Sequence, residues 1–159
     1  MNYLKVQQNL LKAADARDGW KHKNFNIYYF TTEDKVWMCP KGEWMIGVPK
    51  NQFYLDIDKI WKDVKPIQGE TFLKDTGDLK PAVDTNSIVQ VTICKKKKMN
   101  LHKFVVDNEA IYVQEEYLKF FDPDATFKGT KHNAPLYVYE NGELVGLILP
   151  VNHKEGSED

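Results

Sequence analysis

The sequence predicts an α+β fold: mostly antiparallel sheet, with two or three short helices on one face. The chain opens on an amphipathic helical segment. Most later segments are short β-branched or aromatic runs, joined by turns too tight for parallel crossovers. An Asn-Gly pair between two apolar runs near the end supplies a strong hairpin signal. The length of 159 residues, with 42% hydrophobic and 28% charged, suits a core built without staples. We read residues 1–151 as a single domain and 152–159 as a polar tail that frays.

The elements follow in order. Residues 3–17 read as a helix with Leu4, Leu10, Leu11 and Ala14 on one side and Lys5, Gln8, Lys12 and Asp15 on the other. Asp18-Gly19 should end it, because glycine accepts the left-handed closing conformation. Phe25–Thr31, Val36–Cys39 and Trp44–Val48 read as a three-stranded meander, with Pro40-Lys41-Gly42 turning the chain. Asp56 is placed to cap a second helix, Ile57–Val64, closed by Lys65-Pro66. Residues 66–86 carry turn residues and read as a long loop with one short strand near Thr71–Leu73. Ser87–Cys94 has the strongest β propensity, and Phe104–Val106 is its expected partner across the lysine run. Ala110–Val113, a short helix Glu115–Phe121 and a strand Ala125–Lys128 come next. The hairpin Leu136–Tyr139 and Leu144–Leu149 closes the order.

Charge narrows the function. Twenty-two basic residues face 23 acidic ones, and only Arg17 is arginine. A dedicated nucleic-acid binder carries a basic excess, and forked recognition of phosphate or guanine uses arginine. Lys95-Lys96-Lys97-Lys98 is expected to be a solvated turn. No apolar run approaches the ~20 residues of a membrane helix. The start of the chain lacks a secretory pattern, so a cytoplasmic location is expected. Cys39 and Cys94 form no metal or redox motif and read as small apolar residues in a reducing compartment, though a disulfide between them stays open.

The search for chemistry finds little. The sequence holds no glycine-rich phosphate loop, HExxH, paired cysteine ligands or GxSxG. His22, His102, His132 and His153 each adjoin lysine, which predicts exposed positions and disfavours a metal. The pairs Asp56/Asp58 and Asp122/Asp124 are explained as cap and turn residues. Tyr28, Phe30, Trp37 and Trp44 could stack bases but read better as core or interface. We therefore expect no catalytic residues, no metal and no cofactor.

Residues 110–151 carry a family resemblance. Ala110–Leu118, with its Tyr117-Leu118 pair, precedes Phe127–Gly129, Ala134–Tyr139 and the closing Leu147-Ile-Leu149-Pro150-Val151. This order resembles the last domain of the bacterial DNA polymerase III β sliding clamp. That domain runs from a strand into a helix with Tyr-Leu, then a strand, a proline-led hairpin and a hydrophobic-Pro-hydrophobic-Arg ending. Here the closing Arg is replaced by Asn152. The likeness covers a quarter of the chain. Ile46–Pro49 before Ile60 and Trp61 is similar to the clamp's mid-domain strand and helix, which sets two segments in competition for one place.

The resemblance implies helices packed on curved antiparallel sheet. It also implies an apolar groove for partner peptides lined by Leu147, Leu149 and Val151, and a DNA-facing helix offering Lys5, Lys12 and Arg17. A closed ring needs several such domains, so processivity does not follow for one. The expected function is a non-enzymatic binding or accessory module, clamp-like, docking partner segments or associated with DNA. The partner would be a protein or peptide, with DNA as the weaker alternative and no membrane. The alternatives are a homo-oligomeric assembly protein and a small enzyme with a site near loop 66–86.

Overall fold

The computed structural model describes residues 1–20, 27–40, 42–62, 64–74, 77–94 and 97–153, without the side chains of 13–20 and 93–94. The protein is α+β, and the strand pairs within its parts are antiparallel. The chain divides into two compact units, Met1–Lys74 and Asp75–Asp159.

In the first unit, α1 (Tyr3–Trp20) begins where Asn2 Oδ1 accepts from the Lys5 amide at 3.0 Å. It runs through Gly19, which therefore does not stop it. A glycine one residue from the helix end removes little, so the chain tolerates it there. The buried face also differs from the expected stripe. Val6, Gln7 and Leu10 are buried, whereas Leu4 is 64% and Leu11 42% exposed. At 100° per residue, Leu10 shares its face with positions 6 and 7, and Leu4 and Leu11 fall on the shoulder. Lys5, Gln8 and Lys12 are exposed, as expected.

Gln7 earns its burial through hydrogen bonds. Its Nε2 donates to the carbonyls of Tyr3 at 3.0 Å and Gln52 at 2.9 Å, and its Oε1 accepts from the Tyr54 amide at 2.7 Å. One amide thus ties α1 to the segment beyond the meander.

The meander is β1 (Ile27–Thr31), β2 (Lys35–Pro40) and β3 (Trp44–Pro49), in sequence order. Phe25 and Lys41 lie outside the described residues. Phe30, Trp37 and Gly47 lie level across the three strands. The Phe30 and Trp37 rings stack 6.0 Å apart at 7°. A Cβ on Gly47 would come within 2.8 Å of the Trp37 ring, and one on Gly69 within 2.2 Å of Phe30. These glycines let backbone lie against the aromatic pair. Phe30, Trp37 and Trp44 are core and only Tyr28 is exposed, so this stripe is no base-stacking platform. The Ile67 amide donates to the Tyr29 carbonyl at 2.8 Å and brings the later segment alongside β1.

Helix α2 is one turn, Ile57–Ile60, capped by Asp56 as expected, with Oδ1 accepting from the Lys59 amide at 3.2 Å. It stops short of Val64 because the chain turns at Trp61, which is wholly buried. Thr71–Leu73, expected as a short strand, lies instead in a 3₁₀ turn, Glu70–Leu73.

The second unit is a sheet ordered β9-β8-β7-β4-β5-β6. Its strands are β4 (Lys80–Cys94), β5 (Lys97–Val106), β6 (Glu109–Gln114), β7 (Thr126–Gly129), β8 (Leu136–Glu140) and β9 (Glu143–Ile148). The loop assigned to 66–86 ends early, since residues 80–86 are strand. Turn-type residues misled the pattern there. Pro81 sits near the strand's start opposite Lys128, and Thr85 and Asn86 are the extra residues of a bulge between Asp84 and Ser87. Asn86 holds φ at 57°, a conformation asparagine accepts.

Turn β5–β6 places Asp107 and Asn108 at positive φ, and turn β8–β9 does the same with Asn141 and Gly142. Both match the requirement of type I′ hairpins. Helix α3 covers Glu115–Leu118, and a further turn follows where Phe121 N donates to the Leu118 carbonyl. The tail does not fray at Asn152. Val151 N donates to the Tyr112 carbonyl at 2.8 Å, and His153 is buried with its ring edge-on to Tyr112 at 4.7 Å. Residues 154–159 lie outside the described part.

Candidate functional site

The residues expected to line a peptide groove differ in exposure. Leu147 is buried and Leu149 is 43% exposed. Val151 packs against a small cluster of Val91, Leu101 and Tyr112. On α1, Lys5 and Lys12 are exposed, and the Arg17 side chain lies outside the described residues. The expectation of exposed histidines fails for His102 and His132, which are half-buried, and for His153, which is buried. His132 Nδ1 meets the Ala110 carbonyl at 2.5 Å. His22 lies outside the described residues.

His102 Nε2 meets Asp84 Oδ1 at 2.5 Å, and the same oxygen accepts from the Asn86 amide at 2.8 Å. Its ring stacks on Phe104 at 5.1 Å. A carboxylate on one imidazole nitrogen is the kind of contact that orients the base in catalytic His–Asp pairs. The other ring nitrogen, Nδ1, is buried without a partner, as is Trp61 Nε1. With Nδ1 shut from solvent and from any nucleophile among the described residues, the pair braces the β4 bulge. Sequence reasoning missed it because Asp84 and His102 come together only through the β4–β5 register.

Cys39 is a free, half-buried thiol, and burial pushes its pKa up to about 12. A nucleophilic cysteine needs the opposite shift. The Cys94 side chain lies outside the described residues. Among those residues no group of three or more His, Cys, Asp or Glu could hold a metal ion. No described helix is long and apolar enough to cross a membrane.

The arm formed by β4 and β5 is the most exposed strand surface. β7 pairs with β4 only over Lys80–Ala82, and β5 takes the opposite side from Val83 to Cys94. Among the described residues, β4 beyond Ala82 therefore has a strand neighbour on one side only. β6 reaches β5 no further than Leu101, so the end of the arm is a two-stranded ribbon. One face of it, with Val89, Val91 and Met99, joins the cluster of Leu101, Tyr112 and Val151. The opposite face of β4 and β5 carries Ile88, Gln90 and Thr92 level with His102, Asn100 and Lys98, and Ile88 is 51% exposed. Gln90 Nε2 donates to Asn100 Oδ1 at 3.3 Å across the strands. Lys97 and Lys98 are exposed near the tip, and Lys95 and Lys96 lie outside the described residues. Lys80 pairs with Asp107 at the base, and the carboxylate raises the lysine pKa.

An edge strand offers alternate N–H and C=O groups to any further strand. Here that edge runs beside exposed β-branched side chains. Lysines and a bulge are known devices for limiting uncontrolled edge pairing, and both flank the segment 87–94.

No family model, curated protein or solved structure matches this chain.

Proposed function

We propose that this protein is a non-enzymatic binding module that docks an extended partner segment along the outer edge of β4. The observation that carries the reading is that edge: from Val83 onward β4 is paired on one side, with Val83 63% and Ile88 51% exposed. Strand addition gains main-chain hydrogen bonds, while side-chain rows on alternate faces select the partner. The reading keeps the docking role that the sliding-clamp resemblance implies but moves it from Leu147 and Val151 to β4. Leu149 remains the exposed member of the earlier set.

The test is a pair of titrations followed by fluorescence anisotropy. One uses labelled eight-residue peptides of extended, β-branched sequence, and the other a labelled DNA duplex. Saturable peptide binding that Ile88→Lys with Thr92→Lys removes supports the reading. Salt-sensitive duplex binding that Lys5→Glu with Lys12→Glu removes would assign the function to DNA association through α1 instead. Binding of neither probe overturns both.

A further inference from the structure

Resting on strand addition at β4, we propose that the segment added is β4 of a second copy of this chain, paired antiparallel about a two-fold axis.

The first argument is the ribbon itself. Beyond β6 the arm has two strands only, and an isolated two-stranded hairpin is marginal in water. Two such arms joined edge to edge make a four-stranded antiparallel patch.

The second argument is charge. Ser87-Ile-Val-Gln-Val-Thr-Ile-Cys94 contains no charged residue. Asp84 precedes it, with 37% of its side chain exposed, and Lys97 and Lys98 follow it. An antiparallel two-fold pairing turns the lysine end of each copy toward the Asp84 end of the other, with Lys97 and Lys98 one strand back from the joint, on β5 opposite Cys94 and Thr92. A parallel pairing would put lysine tip against lysine tip, where like charges repel. The pattern is self-complementary in the one orientation that a two-fold axis produces.

The third argument is length. With the axis near Gln90, Ile88 lies level with the partner's Thr92 and Gln90 with its own counterpart. All three sit on the exposed face of β4. The bulge at Thr85 and Asn86 breaks the straight edge immediately before Ser87. The new ladder therefore ends there, and pairing closes as a dimer.

The experiment is light scattering after gel filtration across a range of protein concentrations, run beside the peptide titration. The wild-type chain of 18.5 kDa should approach twice that mass. Ile88→Lys with Thr92→Lys places four lysines along the joint and should weaken the dimer by at least about tenfold. Circular dichroism checks that these exposed substitutions leave the fold intact. Lys97→Glu with Lys98→Glu is the second variant, and it should also shift the protein toward monomer. A dimer that survives both variants overturns the inference. A monomer at every concentration that still binds extended peptides overturns it too, while leaving the docking reading standing. A monomer that binds no peptide overturns both.

Discussion

Gln7 shows how one side chain can outweigh a hydrophobic pattern. It sits on the buried face of α1 because three backbone partners satisfy its amide. Gln7→Leu should therefore destabilise the protein by about 1–3 kcal/mol in urea unfolding, since the Tyr54 amide and Gln52 carbonyl lose their partner. Gly69 presents a steric case. Gly69→Ala drives a methyl into the Phe30 ring and should cost about 1–3 kcal/mol by the same measurement. Cys39 presents an electrostatic one. Its folded-state pKa of about 12 stands above the ordinary 9.0, so the folded state holds the thiol proton more tightly. Its contribution is fully present below pH 9.0 and is lost as pH rises toward about 12. Cys39→Ala should flatten that part of the alkaline stability profile. Iodoacetamide at pH 8 should label Cys39 slowly in the native protein and rapidly in urea.

At the scale of elements, turn chemistry decides more than strand propensity. Asn141-Gly142 and Asp107-Asn108 adopt the positive φ values that tight hairpins require, and Asp56 caps α2 where its position suggests. The same residue types mislead at 80–86. There Pro81 opens a strand, and Asn86 turns a bulge inside it. Asn86→Gly should leave stability nearly unchanged, whereas Asn86→Val should cost about 1–2 kcal/mol, because a β-branched residue resists φ near 57°. Thermal unfolding of the two variants checks this. The Asp84–His102 contact ties the bulge to β5, so the ladder and the dyad brace one another.

For the whole molecule, charge balance limits long-range attraction. With 22 basic and 23 acidic residues and a single arginine, duplex affinity should be weak. A salt titration should remove it by about 200 mM, because few phosphates are neutralised. Short-range surface is the stronger resource, and the β4–β5 arm concentrates it. Hydrogen exchange gives a direct view. In the wild-type chain the outward amides of 87–94 should gain protection as concentration rises, and in Ile88→Lys with Thr92→Lys they should not.

The α+β class, the meander, the Asp56 cap and the final hairpin were legible in the sequence, because short-range sterics and hydrogen bonding set them. Turns, caps and alternating apolar residues act over a few positions. The tertiary structure decided which face of α1 is buried, how far β4 extends and where its pairing stops. It also brought Asp84 to His102 and carried Val151 and His153 back to Tyr112. Those outcomes depend on contacts between residues far apart in the chain. Their energies come from burial and pairing that exist only once the strands are in register, so no local pattern announces them.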